Sequence, residues 1–327
     1  MTRGWQLTRG DDGVDARLLD DVGDLGAGDV TVDITWSGIN YKDALAFTGN
    51  PGVMRIDPLV PGIDLVGRVS ASDDERWSIG DRVLLNGDGA GETHHGGLAE
   101  RARVSGGALV AVPDSVDDRQ AAGIGTAGFT AMLAVLSLED HHAELDSVVV
   151  TGASGGVGSF AIALLARAGA TVIASSGRPE HAEQLRRLGA AEVIDRGELD
   201  REGRPLDTQT YSAAIDSVGG RTLATVLSRT QQGGTVAACG LAGGTELPTT
   251  VMPFILRGVT LAGINSVHCP TPLRERAWQR LARDLDPDVI DDIVTEVTLD
   301  GARSAADDLL AGRVRGRIAV DVRGASR

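Results

Sequence analysis

Residues 147–178, SVVVTGASGGVGSFAIALLARAGATVIASSGR, constrain the fold more than any other stretch of the chain. Residues 147–151 form a short β-branched run of the kind buried in parallel sheets. A glycine-rich turn follows, then an apolar segment over residues 160–168 closed by Gly169, which reads as a helix with a glycine just past its end. Residues 171–175 are strand-like again, so the stretch predicts a βαβ unit. Its turn reads Ala153-x-Gly155-x-x-Gly158. Gly155 lets the backbone approach a pyrophosphate, Gly158 lets the helix pack closely on the strand, and the helix N-terminus attracts the anion. Ser154, Gly155, Gly156, Val157 and Gly158 are therefore candidate dinucleotide contacts.

The end of the second strand indicates which dinucleotide. NAD-binding chains usually carry an acidic residue there for the ribose 2′-hydroxyl, whereas this chain reads Ser175-Ser176-Gly177-Arg178. Hydroxyls and a guanidinium suit the 2′-phosphate of NADPH through charge-assisted bonds. Arg178 would otherwise merely open the next helix before Pro179, yet an arginine is unfavourable at the positive end of a helix. We expect NADPH, held here by Ser176, Gly177 and Arg178. Residues 179–188 then suggest a helix closed by Gly189, and strand-like runs recur at 192–194, 213–217, 234–238 and 259–262. This alternation is that of an α/β doubly wound parallel sheet, whose ligands bind beyond the carboxyl ends of the strands. It places Arg196, Leu241 and Ser266 near the cofactor, Arg196 as a second phosphate contact.

VTGASGGVG also fits the T-G-x-x-x-G-x-G turn of short-chain dehydrogenases. Those chains carry the turn near the N-terminus together with a Tyr-x-x-x-Lys pair. Here the residues four past Tyr41 and Tyr211 are Leu45 and Ile215, so that reading fails.

Charge and composition narrow the partners. The net charge is −15, and so acidic a chain is repelled by phosphate backbones, which argues against nucleic acid. No run of eighteen apolar residues suggests a membrane span. The first twelve residues, MTRGWQLTRGDD, hold no apolar signal region, and a cytoplasmic location is expected. Cys239 and Cys269 cannot build a disulfide framework or a four-thiolate zinc site. Against this background SGINYKDALAFTG, residues 37–49, stands apart. Lys42 is the only lysine beside thirty arginines, and its neighbour Tyr41 is one of two tyrosines.

The first 120 residues hold strand-like runs at 30–36, 66–69, 82–85 and 109–112 and suggest a small β-barrel-like domain. SGINYKD, DPLVPGIDLVGRV, GDRVLL, HGGLAE and GTAGFTAM, followed by the βαβ unit, resemble the medium-chain dehydrogenase/reductase superfamily along nearly the whole chain. INYKDALAFTG, GETHHGGLAE, GTAGFTAML, VTGASGGVGS, VAACGLAGG and LPTTVMPFILRGV are similar to its zinc-free quinone oxidoreductase group, in the acrylyl-CoA reductase (AcuI/YhdH-type) branch. The resemblance implies a GroES-like β-barrel catalytic domain of residues 1–120 and 265–327 and a Rossmann NADPH-binding domain of residues 121–264. GRVRGRIAVDV would return to the first domain as a closing strand, and a homodimer is expected.

Zinc-dependent members of the superfamily carry a cysteine, a histidine and a second cysteine where this chain has Asn40, Ile63 and Thr126. Such a trio makes no zinc site, so no metal is expected. His94 and His95 lack partner ligands and read as loop residues, with His94, just before the Gly-Gly turn, a candidate to face the substrate. Chemistry without a Lewis acid suits reduction of a carbon–carbon double bond conjugated to a carbonyl, where positioned donors stabilise the enolate. The resemblance implies acryloyl-CoA as substrate and propanoyl-CoA as product.

The family's proton-relay position is Lys42 in this chain, beside Tyr41. Tyr41 is the candidate acid or nicotinamide contact, and Lys42 the group that orients it or favours its proton release. On a packing reading, Tyr41 lies on the barrel and Lys42 pairs with Asp43; the residues leave both readings of Lys42 open. Arg274, Arg276, Arg280 and Arg283 offer either a patch for the phosphates of CoA or a solvated helix face. Two other functions stand beside the reductase. A zeta-crystallin-like NADPH:quinone oxidoreductase would continue R-x-G-x-Y after Asp43, where this chain reads ALAFTGNPG. A non-catalytic NADPH-binding or sensing protein would show no NADPH-dependent turnover.

Overall fold

The structure, a computed structural model, describes residues 1–11 and 13–324. The chain forms two compact units, one of Met1–Phe129, Ser266–Ala282 and residues from 290 onward, the other of Thr130–Asn265 and Arg283–Val289. The first domain was expected to run to residue 327, and residues 325–327 lie outside the described residues.

The first unit begins with an antiparallel pair, β1 (Gly4–Gly10) and β2 (Gly13–Leu19). β3 (Val30–Ile39) follows, then the seven-residue helix α1 (Tyr41–Phe47), β4 (Asp64–Ser72), β5 (Arg82–Asn86), β6 (Arg101–Val104) and β7 (Val110–Ala111). In β3 the period of two puts Val30, Val32 and Ile34 wholly inside. These join Leu7, Phe47, Leu59, Leu65 and Leu85 in the core. Trp5 meets the Phe47 ring edge-on with centroids 5.5 Å apart. Helix α2 (Asp118–Asp140) is interrupted at Gly125, whose φ of 45° and ψ of −155° are not helical. Its length and composition would allow a membrane span, but 89% of the apolar window is buried in the fold.

The second unit holds β8 (Val148–Val150), α3 (Gly156–Arg167), β9 (Val172–Ser176), α4 (Ala182–Arg187), β10 (Ala190–Asp195), β11 (Tyr211–Asp216), α5 (Gly220–Arg229), β12 (Thr230–Ala238), α6 (Met252–Arg257) and β13 (Thr260–Gly263). The expected helix over 179–188 is instead a 3₁₀ turn, Pro179–His181, followed by the short α4. All strand pairs are parallel, in the order β10-β9-β8-β11-β12-β13. This is the doubly wound order in which the chain reverses direction between the first strand and the fourth, here β8 and β11, opening a crevice at their carboxyl ends. Val149, Ala214 and Val236, all fully buried, lie in the core of this unit.

The chain then adds α7 (Thr271–Asp284), α8 (Pro287–Ile293), β14 (Val294–Thr298), α9 (Ala302–Leu310) and β15 (Arg317–Asp321). β15 pairs antiparallel with β3, from Ile318 opposite Ile39 to Asp321 opposite Trp36. A seven-stranded sheet results, in the order β14-β15-β3-β4-β5-β7 with β6 also on β3. β3 accommodates three partners because its ten residues are shared, residues 36–39 with β15 and residues 30–33 with β6 along one edge. The carboxyl end of β3 runs directly into α1, and this junction presents Tyr41.

Candidate active site

In the second unit the turn after β8 is shaped by backbone. Gly152 is left-handed, with φ of 60°. Gly155 is the N-cap of α3, so Gly156, Val157 and Gly158 lie in its first turn. A Cβ at residue 158 would sit 2.5 Å from the Gly152 carbonyl oxygen and 2.6 Å from Ala153 Cα. Only glycine permits that approach, and the turn opens onto the N-terminus of α3, an end of a helix that favours anions. The hydroxyls of Ser154 and Ser176 share a hydrogen bond of 2.6 Å, and the Arg178 backbone N–H donates to Ser176 Oγ at 3.1 Å. At Gly177 a Cβ would strike Arg196 Cδ at 2.6 Å and Nε at 2.7 Å, so the exposed Arg196 runs across this glycine. The end of β9 thus gathers two hydroxyls and two arginines and no carboxylate of its own. Asp195, on the neighbouring β10, accepts from Gly197 N–H at 2.7 Å.

Asp216, the buried last residue of β11, was missed by sequence reasoning. Thr151 Oγ1 donates to it at 2.6 Å and Gly219 N–H at 2.7 Å. Burial pushes its pKa above the usual carboxylate range, against the pull of those donors. Ser217 returns the tie, its N–H to Thr151 Oγ1 and its Oγ to the Thr151 carbonyl. The carboxyl ends of β8 and β11 are fastened together at the point where the sheet reverses. An aspartate closing the uncharged run YSAAI was the available signal.

In the first unit, Tyr41 opens α1 after the N-cap Asn40. The residue is 54% exposed, so the packing reading of Tyr41 does not hold. Lys42 pairs not with Asp43 but with Glu92, Nζ to Oε1 at 2.8 Å. Asp43 has a different task. Its Oδ2 accepts from the Asn40 N–H at 2.7 Å and its Oδ1 from the Ile63 N–H at 2.8 Å. Complete burial pushes its pKa up to about 6, with nearby Asp64 adding to the rise and the backbone donors opposing it.

Behind this turn lies a network centred on buried Asp64. Asn40 Nδ2 donates to it at 2.8 Å, Asn86 Nδ2 at 2.7 Å and Thr126 Oγ1 at 2.6 Å, and Arg317 Nη2 contacts Asp64 Oδ2. Arg317 also donates to the Ile39 carbonyl. Trp278 Nε1 donates to Asn86 Oδ1 at 3.0 Å. Arg317 of β15 thus holds the Ile39 carbonyl and Asp64 of β4 the Asn40 side chain, while Asn86, Thr126 and Trp278 from β5, α2 and α7 brace that network from behind.

The remaining candidates are dispersed. Arg274 is buried and donates to the carbonyls of Asn86, Val267 and Cys269, so it braces a loop and offers nothing to CoA phosphates. Arg276 and Arg283 are exposed and Arg280 is half-buried. Leu241 is 63% exposed after β12. Ser266 belongs to the first unit, where its carbonyl accepts from Arg274. His95 Nδ1 accepts from Val60 N–H at 3.1 Å, which fixes its ring. Burial lowers the pKa of both His94 and His95.

Comparison with known proteins follows the same division. Residues 26–114 match the family described as alcohol dehydrogenase GroES-like domain, and residues 156–283 the family described as zinc-binding dehydrogenase. The chain is 52% identical over 300 residues to "Probable acrylyl-CoA reductase AcuI" of Escherichia coli (strain K12), covering 91% of this chain and 92% of that one. It is 48% identical over 302 residues to "Acrylyl-CoA reductase AcuI" of Ruegeria pomeroyi, covering 91% and 92%. Among solved structures it is similar to the yhdH oxidoreductase from Salmonella enterica in complex with NADP, with a TM-score of 0.96, 50% identity and coverage of 99% and 100%. The second family description implies a zinc ion, which the residues do not fit. Asn40 and Thr126 spend their polar groups on Asp64, Ile63 is apolar, and the Arg317 cation already neutralises Asp64 and would repel a second cation.

Proposed function

Because the chain belongs to the acrylyl-CoA reductase (AcuI/YhdH) branch of the medium-chain dehydrogenase/reductase superfamily, we propose that it reduces the carbon–carbon double bond of acryloyl-CoA to give propanoyl-CoA, with NADPH as cofactor. NADPH, when bound, supplies the hydride. Ser154 and the backbone of Gly155–Gly158 hold its pyrophosphate, and Ser176, Gly177, Arg178 and Arg196 surround the 2′-phosphate.

The observation that carries the reading is the turn at Asn40–Lys42. Of the three positions that bind zinc in other members, Asn40 and Thr126 are committed to the Asp64–Arg317 network and the third is the apolar Ile63. The next two residues present an exposed phenol and an ammonium. Hydride addition at the β-carbon moves the double-bond electron pair onto the thioester oxygen. A positioned cation and hydrogen-bond donor stabilise that charge without a metal. The α-carbon then needs one proton. We assign it to the Tyr41 hydroxyl, which has no hydrogen-bond partner among the described residues. Tyr41 recovers the proton from water, to which it is open. The two free cysteines and the acidic surface suit a reducing cytoplasm.

We also propose a homodimer formed through the edge of the parallel sheet. Among the described residues β13 pairs on one side only, with β12, and Val251, Ile255 and Leu256 on and beside neighbouring α6 are 64%, 70% and 59% exposed. An apolar patch beside an open strand edge suits a second copy.

The deciding assay follows NADPH oxidation with acryloyl-CoA, crotonyl-CoA and a benzoquinone in parallel. The expected result is the highest kcat/KM for acryloyl-CoA, with kcat reduced about tenfold or more in Tyr41→Phe. Preference for the quinone would replace the thioester reading. Turnover of none would leave an NADPH-binding protein.

A further inference from the structure

We propose that Glu92 is a positioning residue of the reductase, holding the Lys42 ammonium so that its remaining N–H donors meet the thioester oxygen as negative charge develops there. The proposal rests on the reading of Tyr41 and Lys42 as the catalytic pair.

Glu92 lies in the loop NGDGAGETHHGG, residues 86–97. That loop has a fixed and unusual shape. Gly87, Asp88, Gly89 and Gly91 all have positive φ, of 74°, 53°, 81° and 68°. Asp88 is one of two residues other than glycine in that region among the described residues, a conformation kept only where the surroundings impose it. A Cβ on Gly91 would meet the Gly62 backbone N at 2.7 Å, so the loop is pressed against the segment leading into β4. The Glu92 backbone is secured on both sides, its N–H donating to the Gly89 carbonyl and its carbonyl accepting from Arg55 N–H, each at 3.0 Å.

The side chain of Glu92 is only 11% exposed, whereas that of Lys42 is 37% exposed. A carboxylate so enclosed requires a partner, and Lys42 is the one it meets. The ammonium gives one of its three donors to Glu92 and keeps an open face. An arginine could satisfy Glu92 with two parallel bonds, but its planar fork would orient the remaining donors differently from a compact ammonium. This gives a physical reason why the chain's single lysine stands here among thirty arginines. The other charged or titratable groups of the loop are Asp88, His94 and His95, of which His94 feels the charge of both Asp88 and Glu92 and His95 that of Asp24 and His94.

The test uses the full-length enzyme and whichever of the three acceptors the wild type reduces best. Glu92→Gln keeps the size and an acceptor oxygen but removes the charge. It should lower kcat about tenfold while leaving KM for NADPH within about twofold and the thermal midpoint nearly unchanged. Glu92→Asp should recover part of the loss. Lys42→Met should lose at least as much, and Lys42→Met combined with Glu92→Gln no more than Lys42→Met alone, as expected of two groups acting as one unit. Because there is no other lysine, an amine-directed reagent read by mass spectrometry reports Lys42 separately from the chain terminus. Its labelling should be faster in Glu92→Gln. Wild-type kcat in Glu92→Gln, or losses that multiply in the double variant, would overturn the proposal with the reductase reading intact. Failure of the wild type to reduce any acceptor would overturn both.

Discussion

At the end of β8 the second unit shapes its site with backbone, whereas the turn carrying Tyr41 in the first unit is held by side chains from residues 64, 86, 126 and 317. In the former, a left-handed Gly152 and a Gly158 with no room for a Cβ shape the turn into α3. In the latter, Asn40 is fixed by Asp64, twenty-four residues away, and Asp64 by Arg317, a further 253 residues on. The two constructions should fail differently. A site made of backbone loses its ligand when atoms are added to it. A site made of buried polar side chains loses its fold when an atom group is removed, because the partners left behind cannot be rehydrated.

The largest effect is expected at Asp64. Asp64→Ala leaves the Arg317 guanidinium buried and unpaired, and breaking such a pair costs about 3–5 kcal/mol. Denaturant unfolding should show that loss, whereas a change below about 1 kcal/mol would mean that the network contributes little to holding the turn. Gly158→Val comes next. Its clash with Gly152 and Ala153 is with backbone, and overpacking of about 3 kcal/mol corresponds to roughly 100-fold weaker binding of NADPH and NADH alike, measured by fluorescence titration. Unchanged affinity would show that the first turn of α3 does not hold the pyrophosphate. The smallest effect is the most selective. Arg178→Ala should weaken NADPH about tenfold, as expected for one charge-assisted bond, and leave NADH nearly unaffected. A wild type that prefers NADH would contradict the assignment of Arg178 and Arg196 to the 2′-phosphate.

Much of the second unit was legible because its signals are local. A βαβ unit fits within about thirty residues, and the lack of an acid after β9 is visible in four consecutive letters. Tyr41 and Lys42 attracted notice through rarity alone. The sequence did not reveal the partner of Lys42. Asp43, one residue away, was the natural choice on proximity, yet as the third residue of α1 it turns back to the Asn40 N–H and is buried. Arg274 misled in the opposite direction. A row of arginines on a helix resembles a charged face, and only packing showed that one of them points inward to four carbonyls.

By itself the sequence determined the parallel sheet, the glycine turn between β8 and α3 and the absence of zinc ligands at residues 40, 63 and 126. Each depends on which side chain, or lack of one, stands at a single position in a local pattern. Tertiary structure alone decided that Lys42 faces Glu92, that Asp216 ties β8 to β11, and that Asp64 gathers donors from four distant segments. Those pairings join residues far apart in the chain. Their stability comes from leaving water together, and burial of that kind is settled only when the whole fold has closed around them.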